Sequence, residues 1–93
     1  MAHPSSEPLV ALSATLPAEV ALHARPAGLF VKEAAALGCA VTVIANGKRA
    51  DARSILQLLA LGASGGTEVV IEVSGDGAAE AAEHLALLVP ALA

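Results

Sequence analysis

The stretch AVTVIANGKRAD, residues 40–51, decides the fold. Val41, Val43 and Ala45 alternate with Thr42 and Ile44, the period of a strand with one buried face. Asn46-Gly47 follows, a pair suited to the two-residue turn whose central residues both need positive φ. The stretch therefore reads as a β-hairpin, and a hairpin makes its two strands antiparallel. Working outward, TEVVIEV (67–73) alternates again, with Val69, Ile71 and Val73 inward and Glu68 and Glu72 outward. LVALSATL (9–16) sets Val10, Leu12, Ala14 and Leu16 on one face, with Ser13 and Thr15 on the other.

Between the strands the apolar period changes. In PAGLFVKEAAALG (26–38), Ala27, Phe30, Val31, Ala34 and Leu37 follow the i, i+3, i+4, i+7 rule of an amphipathic helix. Pro26 fits its first turn, where no intrahelical N–H bond is lost, and Gly38 supplies the stop. SILQLLALG (54–62) is a short helix closed by Gly62, and ASGG (63–66) is a loop. Asp76-Gly77 opens a last helix, with Ala78, Ala82, Leu85 and Val89 as its buried stripe and Pro90 at its end. The early acids Asp76, Glu80 and Glu83 suit the positive end of that helix.

The order is β-α-β-β-α-β-α. Each strand alternates, so one face of the sheet is covered and the other is wet. That pattern predicts the α+β class, a mostly antiparallel sheet with helices packed on one face. Ninety-three residues suit one domain, expected over 9–93 behind a short disordered leader, residues 1–8. A chain of this length buries only about 60–65% of its unfolded surface. Its core must also be built almost without aromatics, since Phe30 is the only one.

Composition narrows the function. The net charge of −4 speaks against general nucleic-acid binding. All five basic residues (Arg25, Lys32, Lys48, Arg49, Arg53) nevertheless fall between 25 and 53, where only Glu33 and Asp51 oppose them. A local basic field on an acidic chain suits one small anion or one acidic partner face. Cys39 is the only cysteine, so nothing points to a disulfide or an oxidising compartment. Residues 1–9, MAHPSSEPL, lack the basic and apolar regions of a signal peptide, and no apolar run reaches the roughly 20 residues of a membrane span. The expectation is a soluble cytoplasmic protein that binds neither membrane nor nucleic acid.

The chemistry concentrates in LHARPA, residues 22–27. His23 falls just before the first long helix. A helix N-terminus offers unpaired N–H groups and partial positive charge, and so binds anions. Arg25 adds a guanidinium able to grip an oxyanion in bidentate fashion. A phosphate is the anion these groups suit. His23 either binds it or accepts a phosphoryl group on a ring nitrogen, because a neutral imidazole is a good nucleophile near pH 7; a plain helix cap with a solvated Arg25 is the structural alternative. His84 lies mid-helix beside acids and reads as a surface residue, His3 falls in the leader, and Cys39 opens a buried strand. The scattered histidines lack metal-ligand spacing. No carboxylate dyad, nucleophile triad or phosphate loop accompanies His23. The chain reads as able to hold a phosphoryl group but not to turn over a substrate alone, with no metal and no cofactor.

From about 9 to 89 the chain resembles HPr, the histidine phosphocarrier family of the bacterial phosphoenolpyruvate:sugar phosphotransferase system. LHARPA (22–27), NGKRADARSILQLLALGASGG (46–66) and TEVVIEVSGDGAAEAAEHLALLV (67–89) carry the resemblance. It implies an open-faced β-sandwich, four antiparallel strands beneath three helices. It implies that Enzyme I phosphorylates the histidine at Nδ1 using phosphoenolpyruvate, and that an enzyme IIA domain then receives the group. His23 matches the acceptor and Arg25 its neighbour on the phosphate; Ala24 and Arg25 would lend backbone N–H groups. Such a carrier is expected to be a monomer. The chain departs from the family at Val20 and Ala21, where a small polar residue and a glycine are usual. The rival readings are a regulatory paralogue that docks partners without phosphotransfer, and a carrier of a nitrogen-related or multiphosphoryl branch.

Ser54 falls where low-G+C Gram-positive members of that family carry a regulatory phosphoserine, which would add a serine kinase and phosphatase to the partners. SILQ is also a capping box, with Ser54 accepting from the amide three residues on and Gln57 reaching back to it. Both readings, cap alone and cap plus regulation, stay open. The helix that follows holds Ile55, Leu56, Leu58, Leu59, Ala60 and Leu61, too many apolar groups for one two-turn face. The surplus reads as a docking surface. Ile55, Leu56 and Leu59 are its expected members, which the resemblance assigns to Enzyme I and IIA domains, and Leu58 is expected in the core.

Overall fold

The computed structural model describes residues 9–19 and 24–92. The expected leader, residues 1–8, and the segment 20–23 lie outside the described residues. Four strands, β1 (Leu9–Thr15), β2 (Ala40–Ala45), β3 (Lys48–Asp51) and β4 (Glu68–Ser74), form one sheet in the order β1-β4-β2-β3. Every neighbouring pair is antiparallel. Three helices, α1 (Ala24–Leu37), α2 (Ile55–Ala60) and α3 (Ala78–Leu88), cover one face, and a 3₁₀ turn at Val89–Ala91 follows α3. The order β-α-β-β-α-β-α and the antiparallel sheet with helices on one face are those the sequence pattern predicts, and the four-stranded open sandwich is the one the resemblance implies.

The hairpin forms as the sequence dictates. Asn46 and Gly47 take φ of 54° and 74°, the positive pair that lets a two-residue turn match the twist of its strands. In the resulting register Val43 faces Ala50 and Ile44 faces Arg49. Val41, Val43 and Ala45 are buried under the helices, while Thr42 and Ile44 stand on the open face. Strand β4 repeats the division: Val69, Ile71 and Val73 are buried, and Glu72 on the open face accepts from Arg49 across the sheet at 2.7 Å.

The helices meet the sheet through small residues. Ala27 and Ala34 of α1 and Ala78, Ala81 and Ala82 of α3 are all buried. Alanine contacts bring helix backbones close, which lets larger groups (Phe30, Leu58, Leu61, Ile71, Leu85) fill the space between layers. Ala81 joins the expected α3 stripe because that helix buries a wider arc than an i, i+4 line. Three local details differ from expectation. Helix α1 begins at Ala24, two residues before Pro26, and Pro26 still falls in the turn whose N–H groups lack intrahelical partners. In α3 only Glu80 lies in the first turn; Asp76 precedes the Gly77 cap, which has φ of 75° and no side-chain bond, and Glu83 comes later. Helix α3 ends at Leu88, and Pro90 sits inside the 3₁₀ turn that continues it.

Candidate functional site

The site is assembled from the segment after β1, the start of α1, helix α2 and the loop 62–67. Leu16 is fixed at both backbone groups: its N–H donates to the Thr67 carbonyl and its carbonyl accepts from Gly66 N–H, each at 3.0 Å. Its side chain is buried. Pro17, Ala18 and Glu19 then carry the chain off the sheet. Val20, Ala21, Leu22 and His23, the expected phosphoacceptor among them, lie outside the described residues. The chain resumes at Ala24, the first residue of α1, with the Arg25 side chain exposed to solvent beside it. Ala27 and Phe30, both buried, anchor that end of α1 in the core.

Ser54 is the cap of α2. Its backbone is extended (φ −117°, ψ 111°), and its hydroxyl accepts from Gln57 N–H at 3.2 Å. The other half of the expected capping box is not made. The Gln57 Oε1 accepts from Asp51 N–H at 2.8 Å, while Ser54 N–H donates to the Asp51 carbonyl at 3.0 Å. Because the turn already uses the Ser54 N–H, the Gln57 side chain is left to tie the end of β3 instead. The opposite end of α2 rests on the hairpin. Asn46 Nδ2 donates to Leu61 O at 3.0 Å, and Lys48 Nζ donates to Ala60 O at 3.4 Å. These two contacts satisfy carbonyls that a helix end leaves unpaired. They join positions fifteen and twelve residues apart, beyond any local pattern in the sequence.

The apolar residues of α2 divide sharply. Leu58 is fully buried and Leu61 nearly so, whereas Leu56 is 79% exposed and Ile55 41%. Leu59, expected on the docking surface, is half-buried against the core; it lies about 100° round the helix from Leu58, at the edge of the buried arc. Leu29 of α1, the helix packed on α2, is also exposed, and its place outside the apolar stripe of 26–38 was the signal for it.

The basic field of 25–53 is weaker than its count suggests. Arg49 is paired with Glu72, an acid from outside that segment, and Arg53 donates to Asp51 at 3.3 Å. Hydrogen bonds from the Arg53 guanidinium and then its backbone N–H hold the Asp51 carboxyl below its ordinary range. His84 is an exposed residue, as expected, but not a solitary one: its Nε2 lies 2.9 Å from Glu33 Oε1, tying α3 to α1. The buried Cys39 thiol donates to the Asp76 carbonyl at 3.2 Å. Among the described residues no group of three or more His, Cys, Asp or Glu could hold a metal ion, and no helix is long and apolar enough to cross a membrane.

Comparison with known proteins bears on this arrangement directly. The family model for the PTS HPr component phosphorylation site matches residues 11–90. The phosphocarrier protein HPr of Vibrio cholerae is 49% identical over 75 residues, covering 81% of this chain and 88% of that protein. The HPr of Streptomyces coelicolor is 49% identical over 69 residues, 73% of this chain and 74% of its own length. Among solved structures, HPr from Bacillus anthracis superposes with a TM-score of 0.81 at 33% identity, covering 87% of this chain and 96% of that one. The open-faced sandwich with a histidine before its first helix therefore belongs to the HPr family of phosphocarrier components of the phosphotransferase system.

Proposed function

We propose that this chain is a cytoplasmic carrier domain that accepts one phosphoryl group from phospho-Enzyme I on Nδ1 of His23 and passes it to an enzyme IIA domain. The observation that carries this reading is the family match across 11–90, which includes an intact His-Ala-Arg-Pro at 23–26, with the histidine next to the first residue of a fourteen-residue helix. The chemistry follows from those groups. Nδ1 attacks phosphorus with its lone pair, so the ring must carry its proton on Nε2. The N–P bond forms as the donor's bond to phosphorus breaks. The helix end and Arg25 disfavour an imidazolium before attack and stabilise the phosphate dianion afterwards. No group beside His23 is asked to hydrolyse the product, in keeping with a carrier rather than an enzyme with its own turnover. The chain is to be incubated with phosphoenolpyruvate and Enzyme I and then weighed by mass spectrometry. One phosphoryl group is expected; no uptake from several sources of Enzyme I would sink the carrier reading and leave the docking paralogue.

Arg25 is proposed to stabilise the bound phosphate, with the backbone N–H groups of Ala24 and Arg25. Arg25→Ala should leave the thermal melt unchanged, since the side chain is exposed. It should also slow transfer about ten- to a hundredfold and shorten the adduct's lifetime, as expected for a lost charge-assisted hydrogen bond of roughly 1.5–3 kcal/mol. A wild-type rate would return Arg25 to solvent.

The exposed Ile55 and Leu56, with the half-buried Leu59 at their margin, are proposed as the surface that meets Enzyme I and the IIA domain. Ser54, next in sequence, is where a charge would be felt. Ser54→Glu places an acid at a helix start, which the dipole favours by about 0.3–1 kcal/mol and which offsets part of the lost hydroxyl cap, so the fold should survive. Affinity for Enzyme I, read by titration calorimetry, should fall. Equal affinities for the two proteins would confine Ser54 to its cap, and no kinase or phosphatase need then be invoked.

A further inference from the structure

The loop 62–67 holds Gly62, Gly65 and Gly66, and they are not alike. Gly62 and Gly66 have φ of +67° and +83°, and a Cβ on either would meet open space. Gly65 has no such backbone angle. A Cβ there would lie 2.6 Å from the carbonyl carbon of Ala18 and 2.9 Å from the carbonyl oxygen of Pro17, and closer still to the Ala18 oxygen. All three atoms are backbone, so no side chain can swing aside. Position 65 lacks a side chain because two stretches of main chain touch there.

What it touches is the start of the segment that leads to His23. The turn around Gly65 is internally braced, with Thr67 N–H on Ser64 O at 3.0 Å and Ser64 N–H on Thr67 Oγ1 at 3.2 Å. It grips both backbone groups of Leu16. Pro17 follows, its φ fixed by the ring, so it absorbs little of any displacement. At the far end of the segment, α1 is anchored by Ala27 and Phe30.

We infer that Gly65 is a positioning residue for phosphoryl transfer at His23: its bare Cα, braced by the turn, sets where the backbone of Pro17 and Ala18 leaves the sheet, on the stretch of chain that leads to His23. This rests on His23 being the acceptor. A methyl at position 65 must push the Pro17 and Ala18 carbonyls away by on the order of 1 Å. A shift of that size at a group that must meet a donor in line can cost about a hundredfold in rate.

The test uses the full chain with phosphoenolpyruvate and Enzyme I. Gly65→Ala should stay folded, with shifted amide resonances at Ala18 and Glu19. Its phosphorylation rate at saturating Enzyme I should fall about ten- to a hundredfold while KM for Enzyme I changes less than threefold, because the α2 surface is untouched. Ser64→Ala, which keeps every loop bond made through the Ser64 backbone, should transfer at the wild-type rate. Thr67→Val removes the Oγ1 brace without adding bulk and should slow transfer by a smaller factor; it carries the test if Gly65→Ala fails to fold. A wild-type rate for the folded variant, a loss lying wholly in KM, or unmoved Ala18 and Glu19 resonances would overturn the inference. Failure of the wild type itself to accept a phosphoryl group would instead overturn the reading of His23, an outcome the Gly65 comparison cannot mimic.

Discussion

His23→Ala is expected to take up no phosphoryl group from phosphoenolpyruvate and Enzyme I, whereas His84→Ala takes up one. The contrast is sharp because both residues are imidazoles in one small domain. His84 sits mid-helix with its Nε2 2.9 Å from the Glu33 carboxylate, in a setting that repels a phosphate and lacks free N–H donors. His23 immediately precedes α1, whose first turn, with Pro26 lacking an N–H, offers the N–H groups of Ala24, Arg25 and Ala27 without intrahelical partners, and where the partial charge is positive. The adduct on His23 should be labile in acid and stable in base, as a P–N bond to imidazole is, and unlike a serine ester at Ser54. Mass spectrometry after an acid or base pulse separates a phosphohistidine from a phosphoserine, and the two variants separate His23 from His84. An adduct that persists in His23→Ala, or one that vanishes in His84→Ala, would overturn the assignment. Both variants should melt near the wild type, with His84→Ala losing only an exposed tie between α1 and α3.

The architecture was legible because its signals are local. Alternation in 40–45 and 68–73, Asn46-Gly47 with its positive φ pair, and the 3.6-residue stripe of 27–37 each state an element within ten residues, and the antiparallel hairpin constrains the rest. Contacts that join distant positions were not legible. Gln57 reaches Asp51 rather than Ser54, Asn46 and Lys48 close the far end of α2, and Arg49 finds Glu72 in another strand. Each depends on register and packing, which no spacing rule encodes. The same holds for Leu59, whose half-burial follows from how α2 lies on the sheet, and for Gly65, which in sequence is one more glycine in a loop. His23 stood out by the residue types around it, a chemical signal that needs no tertiary contact.

Leu58→Ala and Leu56→Ser, two neighbours on α2, should have opposite consequences. Leu58 is fully buried, and a void of about 10 Å³ already lies beside it among Leu16, Phe30, Val43 and Val69. Truncation to alanine enlarges this apolar space, which its neighbours relax only partly to fill. The expected cost is about 2–5 kcal/mol, which in a domain of this size lowers the melting temperature by roughly 10 °C or more. Leu56 is 79% exposed and loses almost no burial on becoming serine, so stability should change by about 0.5 kcal/mol or less. Binding should reverse the order. If the exposed end of α2 is the docking surface, Leu56→Ser removes an anchor from the centre of an interface, where a hot-spot side chain is worth roughly 2 kcal/mol or more. Leu58→Ala, measured on the folded fraction, presents the same surface and should bind Enzyme I with near wild-type affinity. Thermal melts and titration calorimetry on the two variants decide between the roles. Undiminished affinity in Leu56→Ser would move the docking surface off α2, and a melt lowered as far as that of Leu58→Ala would mean that Leu56 is packed in solution. Leu29 is then the next exposed apolar residue to substitute, since it is the one exposed large apolar side chain among the described residues of α1, a helix in contact with α2.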